Sequence, residues 1–276
     1  MKRWPKLLRV GLGVLVFLGL VALLAPWISP YDPTALSGQP LEPPTLHHLL
    51  GTDDLGRDVL SQLIWGARAS LVVAVGAAGL AVGVGALVGV TVGLIGGRTD
   101  FVAMRILDVL LAIPVVPLLL VVVALAGPGR ATIILAIGLI GWPRFARVMR
   151  SQALTLRQRG YVRAARGFGG GLVYLLRRHM LPAMAPVIIA AFVATAGIAV
   201  GLDSGLAFLG LADPTSVTWG NLLNTTRLSQ EGLYASTAWV WMVLPAGAAV
   251  TITVLAFALV GIATEPRTNP SWSRGT

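Results

Sequence analysis

The chain has 276 residues, 56% of them hydrophobic and only 12% charged, with a mean hydropathy of +0.82. Soluble domains carry about 25% charged residues, so a chain this apolar has lipid rather than water as its main solvent. The net charge of +10 does not point to nucleic acid, because the arginines fall between apolar runs and not on a soluble face; the absence of cysteine excludes disulfides, cysteine-ligated zinc and a cysteine nucleophile.

Met1 to Arg9 is short and basic, and Val10 to Ile28 is an apolar run long enough to span a bilayer. The run exceeds a secretory apolar core and no small-x-small cleavage site precedes Pro26, so it reads as a retained helix. Residues 29–66 are polar, and Pro30, Pro33, Pro40, Pro43 and Pro44 predict an ordered extended loop. Gly51-Thr52-Asp53-Asp54-Leu55-Gly56-Arg57-Asp58 then leads into a helical start. The second span, Ala69 to Ile95, is glycine-rich. Its pairs Gly79–Gly83 and Gly89–Gly93 have the small-xxx-small spacing that lets helix backbones approach closely in lipid.

Gly96 to Asp100 reads as a tight turn. The third span, Phe101 to Ala126, holds Asp108, Pro114 and Pro117, which predicts a kinked helix. A turn at Gly127 to Arg130 precedes the fourth span, Ala131 to about Trp142. Arg144 to Arg178 is the longest polar interruption, with nine arginines and no acid, and is expected to fold into short helices. Ala183 to about Leu202 is the fifth span. Asp203 to Trp239 is polar with a short helix of its own, and Val240 to Ile262 is the sixth span. Pro266 and Pro270 mark a frayed tail.

With the N-terminus inside, every Lys and Arg except Arg57, Arg68, Arg130 and Arg227 falls on the cytoplasmic side. The expectation is an all-α integral membrane protein with six transmembrane helices and both termini cytoplasmic. Its parts are residues 1–28 (N-terminal segment and first helix), 29–68 (extracytoplasmic loop), 69–265 (five-helix core enclosing a cytoplasmic loop at 144–182) and 266–276 (tail).

No catalytic constellation stands out. The chain lacks the Gly-x-x-x-x-Gly-Lys-Ser/Thr phosphate loop, so it should not hydrolyse ATP. His47 and His48 are adjacent with no further ligand near in sequence, so a plain loop pair is favoured over a metal site. His179 follows Arg177-Arg178 and reads as a helix-end or interfacial residue. An ionisable group within a span is a functional candidate by default, which singles out Asp108 and Asp203. Arg105 lies at i−3 from Asp108 and offers a plain ion pair; Asp203 sits at a span end, where solvation is the plain reading.

Four segments carry a family resemblance: Gly51 to Asp58 with Gly66-Ala67-Arg68; Gly96 to Asp100 with Met104-Arg105 and Asp108; Tyr161 to Gly169 with Leu181-Pro182; and Gly205 to Leu211 with Trp219-Gly220-Asn221. The chain resembles the C-type permease subunit of binding-protein-dependent ABC importers of the dipeptide, oligopeptide and nickel class. The third segment is similar to that family's Glu-Ala-Ala loop, although Arg163 stands where the family usually has Glu and His179 replaces a usual apolar residue. The resemblance implies a type I importer permease fold and half of a pathway for peptides or nickel and metal chelates. It implies a second homologous permease, two ATP-binding subunits and an extracytoplasmic substrate-binding protein as partners, in a lipid bilayer and without nucleic acid. No cofactor is expected on this chain; ATP and Mg belong to the partner subunits. A coupling helix of about Arg159 to Phe168 is implied, with Tyr161, Arg163, Ala164, Ala165, Phe168, Gly169, Leu181 and Pro182 meeting the ATPase. Asp53, Asp54, Arg57, Asp58, Trp219 and Asn221 are implied outer-face contacts. A self-sufficient channel or proton-coupled carrier is the alternative. Carriers usually show two related halves, and neither a matching half nor a second arginine loop is present.

Overall fold

The computed structural model describes residues 4–228, 237 and 239–268. Among these the chain is helical, with a single isolated bridge between Thr52 and Asp58. The helices are α1 (Trp4–Ile28), α2 (Val59–Ile95), α3 (Gly97–Ala112), α4 (Val115–Ala126), α5 (Arg130–Leu156), α6 (Gly160–Gly167) and α7 (Leu172–Leu175). A π turn (Leu176–Met180) leads into α8 (Leu181–Phe208), followed by α9 (Trp219–Leu228) and α10 (Trp239–Thr268). Five helical stretches are long and apolar enough to cross a membrane: within α1, α2, α5, Leu172–Phe208 and α10. The pair α3 and α4, bent by 80°, counts as a sixth when read as one broken span.

The break falls where the sequence places it. Pro114 has no N–H to continue the helix, and Ile113 before it is extended (φ −79°, ψ 128°), as steric clash with a following proline requires.

α2 and α5 form the most extensively packed pair. Gly85, Gly89 and Gly93 line the crossing: a Cβ on Gly89 would sit 2.3 Å from the Ala146 carbonyl oxygen. Lipid supplies no hydrophobic drive between helices, so this backbone approach is what holds the pair. Of the two expected glycine pairs, Gly89–Gly93 packs here, whereas Gly79 and Gly83 are exposed and meet nothing.

The fourth span differs from expectation. α5 runs on to Leu156, so Arg144, Arg147 and Arg150 continue a helix and do not open the loop at 144. The reason is pairing with α3. Arg147 donates to Asp108, and Arg150 clasps Asp100 side-on through Nε and Nη2, with Nε to Oδ1 at 2.7 Å. These pairs tie α3 to α5 and give the polar turns a reason to stay helical.

At 37 residues and 1.5 Å per residue, α2 is about 55 Å long, well beyond the roughly 30 Å of bilayer hydrocarbon. One end of it is capped by residues 29–58. The other end carries α6.

Candidate coupling surface

The C-terminal carbonyls of α2 need partners, like those of any helix. Two arginines from the polar segment supply them. Arg157 Nη1 donates to Gly93 O at 3.1 Å and Arg166 Nη2 to Leu94 O at 3.4 Å. Cations at a helix C-terminus also meet the negative end of its dipole. Val162, 1% exposed, anchors the inner face of α6 in a core with Leu94, Met149, Ala153, Leu175 and Met180.

α6 ends at a glycine for a specific reason. Gly169 has φ +84°, its N–H donates to Arg166 O at 3.1 Å, and the Gly170 N–H donates to Ala165 O at 2.9 Å. This double closure stops the helix and turns the chain back. It leaves Phe168 at the tip, 92% exposed, with Tyr161 48% exposed on the same short helix.

Arg163, Arg177 and Arg178 are exposed, and among the described residues none is held in an ion pair. Ala164 is exposed and Ala165 half-buried against the α6 core. Leu181 packs on the same core, with Pro182 exposed at the start of α8. His179 sits in the π turn between the rings of Tyr161 and Tyr174, at 5.9 and 5.4 Å. A cleft of about 450 Å³ opens beside Phe168, lined by Ala165, Gly169, Gly170, Gly171 and Tyr174. Tyr161, Arg163, Ala164, Ala165, Phe168 and Gly169 thus form one knob tied to the end of α2 through Val162 and Arg166, with Leu181 packed beneath it.

The outer-face candidates are arranged differently. Asp53 and Asp58 are buried, at 0% and 1% exposure, and Trp219 at 1%. Asp58 caps α2: its Oδ2 accepts from the Ser61 N–H and hydroxyl at 2.7 Å each, while its Oδ1 meets His48 Nδ1 at 2.9 Å. Asp53 Oδ2 accepts from Arg57 Nε at 2.6 Å and Gln62 Nε2 at 2.8 Å, and its Oδ1 takes the N–H groups of Leu55 and Arg57. Trp219 fills the space left open by Gly66 and donates from Nε1 to Leu63 O at 2.9 Å. Asn221 Nδ2 holds the preceding turn by donating to Asp213 O and Ser216 O, both at 2.7 Å. Asp53, Asp58, Trp219 and Asn221 therefore shape that end. Asp54 is half-buried with one oxygen unpartnered, and burial together with the neighbouring Asp53 charge holds its pKa above the ordinary aspartate value.

Asp108 is half-exposed and pairs with Arg147 and with Arg105 at 3.4 Å. Asp203 is not solvated: α8 runs past it to Phe208, leaving it 2% exposed with Oδ2 lacking a hydrogen-bond partner. The His47–His48 pair also resolves, His48 into the contact with Asp58 and His47 into a carbonyl that accepts from the Tyr31 hydroxyl.

Residues 85–269 match the family "Binding-protein-dependent transport system inner membrane component", and residues 6–44 match "N-terminal TM domain of oligopeptide transport permease C". The chain belongs to the binding-protein-dependent inner membrane permeases. The permease is 35% identical to the dipeptide transport system permease protein DppC of Bacillus subtilis over 274 residues, covering 98% of this chain and 83% of that one. It is 36% identical over 254 residues to a protein of Brucella suis biovar 1 named as a peptide permease, covering 91% and 82% of the two chains. A protein of Brucella abortus biovar 1, named as a peptide transport system permease, is 36% identical over 256 residues, covering 92% and 84%. With its apolar helices, the permease is a multi-pass inner membrane protein.

The knob was legible in the sequence, because its small residues and Gly169 are local signals. Arg157 and Arg166 as the arginines that close α2 were not, since their acceptors lie more than sixty residues away.

Proposed function

We propose that this permease forms half of the translocation pathway of an ABC importer for peptides, with the α6 knob as its contact to a cytoplasmic ATP-binding subunit. The observation that carries the reading is the α6 geometry. An aromatic side chain 92% exposed stands at the tip of a helix fixed by Val162, Arg166 and the Gly169 turn. Such a posted aromatic with surrounding unpaired cations suits docking to a partner and serves nothing within the chain. The peptide cargo is supported by the names of these three relatives, each a peptide or dipeptide permease.

In this reading the knob faces the cytoplasm and residues 29–58 face the binding protein. A second homologous permease completes the pathway, and two partner subunits hold ATP and Mg. The test is reconstitution. The permease should co-purify with its ATP-binding subunits and take up labelled tripeptide in proteoliposomes only with ATP and binding protein. Uptake by this chain without an ATPase would establish a carrier instead. Orientation is read separately: Leu46→Cys and Ser151→Cys, both at exposed positions in a chain without cysteine, should label from opposite sides of sealed vesicles.

A further inference from the structure

At the capped end a cleft of about 540 Å³ opens between α2, the start of α5 and the turns at residues 32–34 and 215–217. Arg68 and Arg130 both line it, and both are exposed. Among the described residues neither has a carboxylate within ion-pair distance. The Arg68 guanidinium lies over the Trp65 ring, 5.6 Å from its centroid. Trp65 also lines the cleft, and its Nε1 is buried without an acceptor. Arg130 is the first residue of α5, whose N-cap Gly129 provides no side-chain cap, so the positive end of the helix dipole adds to its charge.

One acid, Asp32, lines the same cleft, but its Oδ1 is engaged by the Thr34 N–H and hydroxyl at 2.8 and 2.6 Å. The opposite wall is fixed by the Asn221 bonds to Asp213 and Ser216. From Trp65 to Val72 the cleft follows α2 for about two turns, roughly 10 Å, and Ala69 and Val72 give this wall apolar surface next to Arg68.

Two guanidinium groups face one cleft whose one lining carboxylate, Asp32, is held by Thr34, and Asp213 acts on Arg130 only from beyond ion-pair distance, so an incoming anion still gains from both guanidiniums. A planar carboxylate is the group that such forks match in geometry. We infer that this cleft receives the carboxylate of the peptide cargo, with Arg68 and Arg130 as its charged donors and Trp65 Nε1 as a third. The inference rests on the peptide reading above. Beside the arginines the cleft also offers the apolar side chains of Ala69 and Val72, which fit a cargo that carries side chains behind its carboxylate.

The complete transporter is reconstituted with parent permease, Arg68→Gln, Arg130→Gln and the matching Arg→Lys variants, and given trialanine or its C-terminal amide. Each Gln variant should lower trialanine uptake about tenfold and leave amide uptake within about twofold. The Lys variants should recover part of the loss, and ATP hydrolysis stimulated by empty binding protein should stay at the parent level. A parallel fall for both peptides overturns the inference. So does a matching fall in stimulated hydrolysis, which would assign the arginines to an acid on the binding protein. An effect present in phosphatidylglycerol vesicles and absent in phosphatidylcholine would assign them to lipid headgroups and overturn it too. A parent that carries neither peptide overturns the peptide reading and this inference with it; a parent that carries both, beside variants that do not discriminate, overturns this inference alone.

Discussion

At the end capped by residues 29–58, the acids Asp53 and Asp58 are buried and their oxygens are engaged by Arg57, Gln62, His48, Ser61 and backbone N–H groups. At the α6 end, Arg163, Arg177 and Arg178 stand exposed, and Phe168 has almost no cover. Both ends are polar punctuation between apolar spans, yet one closes the acids of the α2 cap on their neighbours and the other presents its cations. The physical difference lies in sign and neighbours. Acids near the start of α2 find a helix N-terminus and close donors, so burial is compensated. The segment from Arg144 to Arg178 holds no acid at all, so its cations can pair only with α3, with helix carbonyls or with another molecule. Composition at a membrane face therefore says little about function until the pairing is known.

The largest expected effect tests the closed end. Asp53→Ala removes the acceptor of the Arg57 guanidinium, whose side chain is largely covered, and of the buried Gln62 amide. Removing one partner of a buried ion pair costs about 3–5 kcal/mol. The loss should appear as a lower midpoint in denaturant unfolding of the detergent-solubilised permease. Arg163→Ala at the other end should stay within about 0.5 kcal/mol, as for an ordinary surface site. Equal losses from the two would erase the contrast.

The second prediction tests the open end. Phe168→Ala should leave unfolding unchanged within about 0.5 kcal/mol. Exposed aromatic anchors of interfaces are worth about 2 kcal/mol, so the affinity for the ATP-binding subunit should fall roughly thirtyfold. Titration of that subunit against permease in nanodiscs measures it, and an unchanged Kd would remove α6 from the docking surface. Ala165→Trp is a weaker probe: Ala165 packs on the core beneath α6, so a larger side chain there would disturb the permease itself.

How much of this could be read from the sequence follows the same division. The six apolar stretches, the break at Pro114 and the α6 stop at Gly169 depend on residues within a turn of each other, and they are legible. The extension of α5 to Leu156 depends on Asp100 and Asp108, some forty to fifty residues away, and no local pattern announces it. The outer acids read as contacts on the strength of the family resemblance, in a polar segment that leads into a helix. Their burial depends on His48, on Gln62 and on Trp241, whose Nε1 approaches Thr52 O at 3.4 Å. Asp203 misleads for a related reason: the helix that buries it continues beyond the apolar run that marks the span.

The smallest effect sharpens the comparison within the closed end. Asp54 is the acid there that its neighbours do not fully satisfy. Burial, then the charge of Asp53, raise its pKa, and Arg57 offsets only part of this. In the unfolded chain it ionises near the ordinary value of 3.8. Between that value and its higher folded value, the folded state binds more protons than the unfolded state. Stability contributed by Asp54 is therefore fully present below pH 3.8, falls as pH rises through the window, and stays lost above the folded pKa. Asp54→Asn does not titrate. Its Tm should match the parent at the acid end and exceed it slightly at neutral pH, with the gap opening across that window. Scanning Tm against pH for the two proteins measures the gap, and subtraction removes the titration of acids common to both. A variant that is less stable than the parent at neutral pH would show that the ionised Asp54 is as well satisfied as Asp53, and the closed end would have no uncompensated acid.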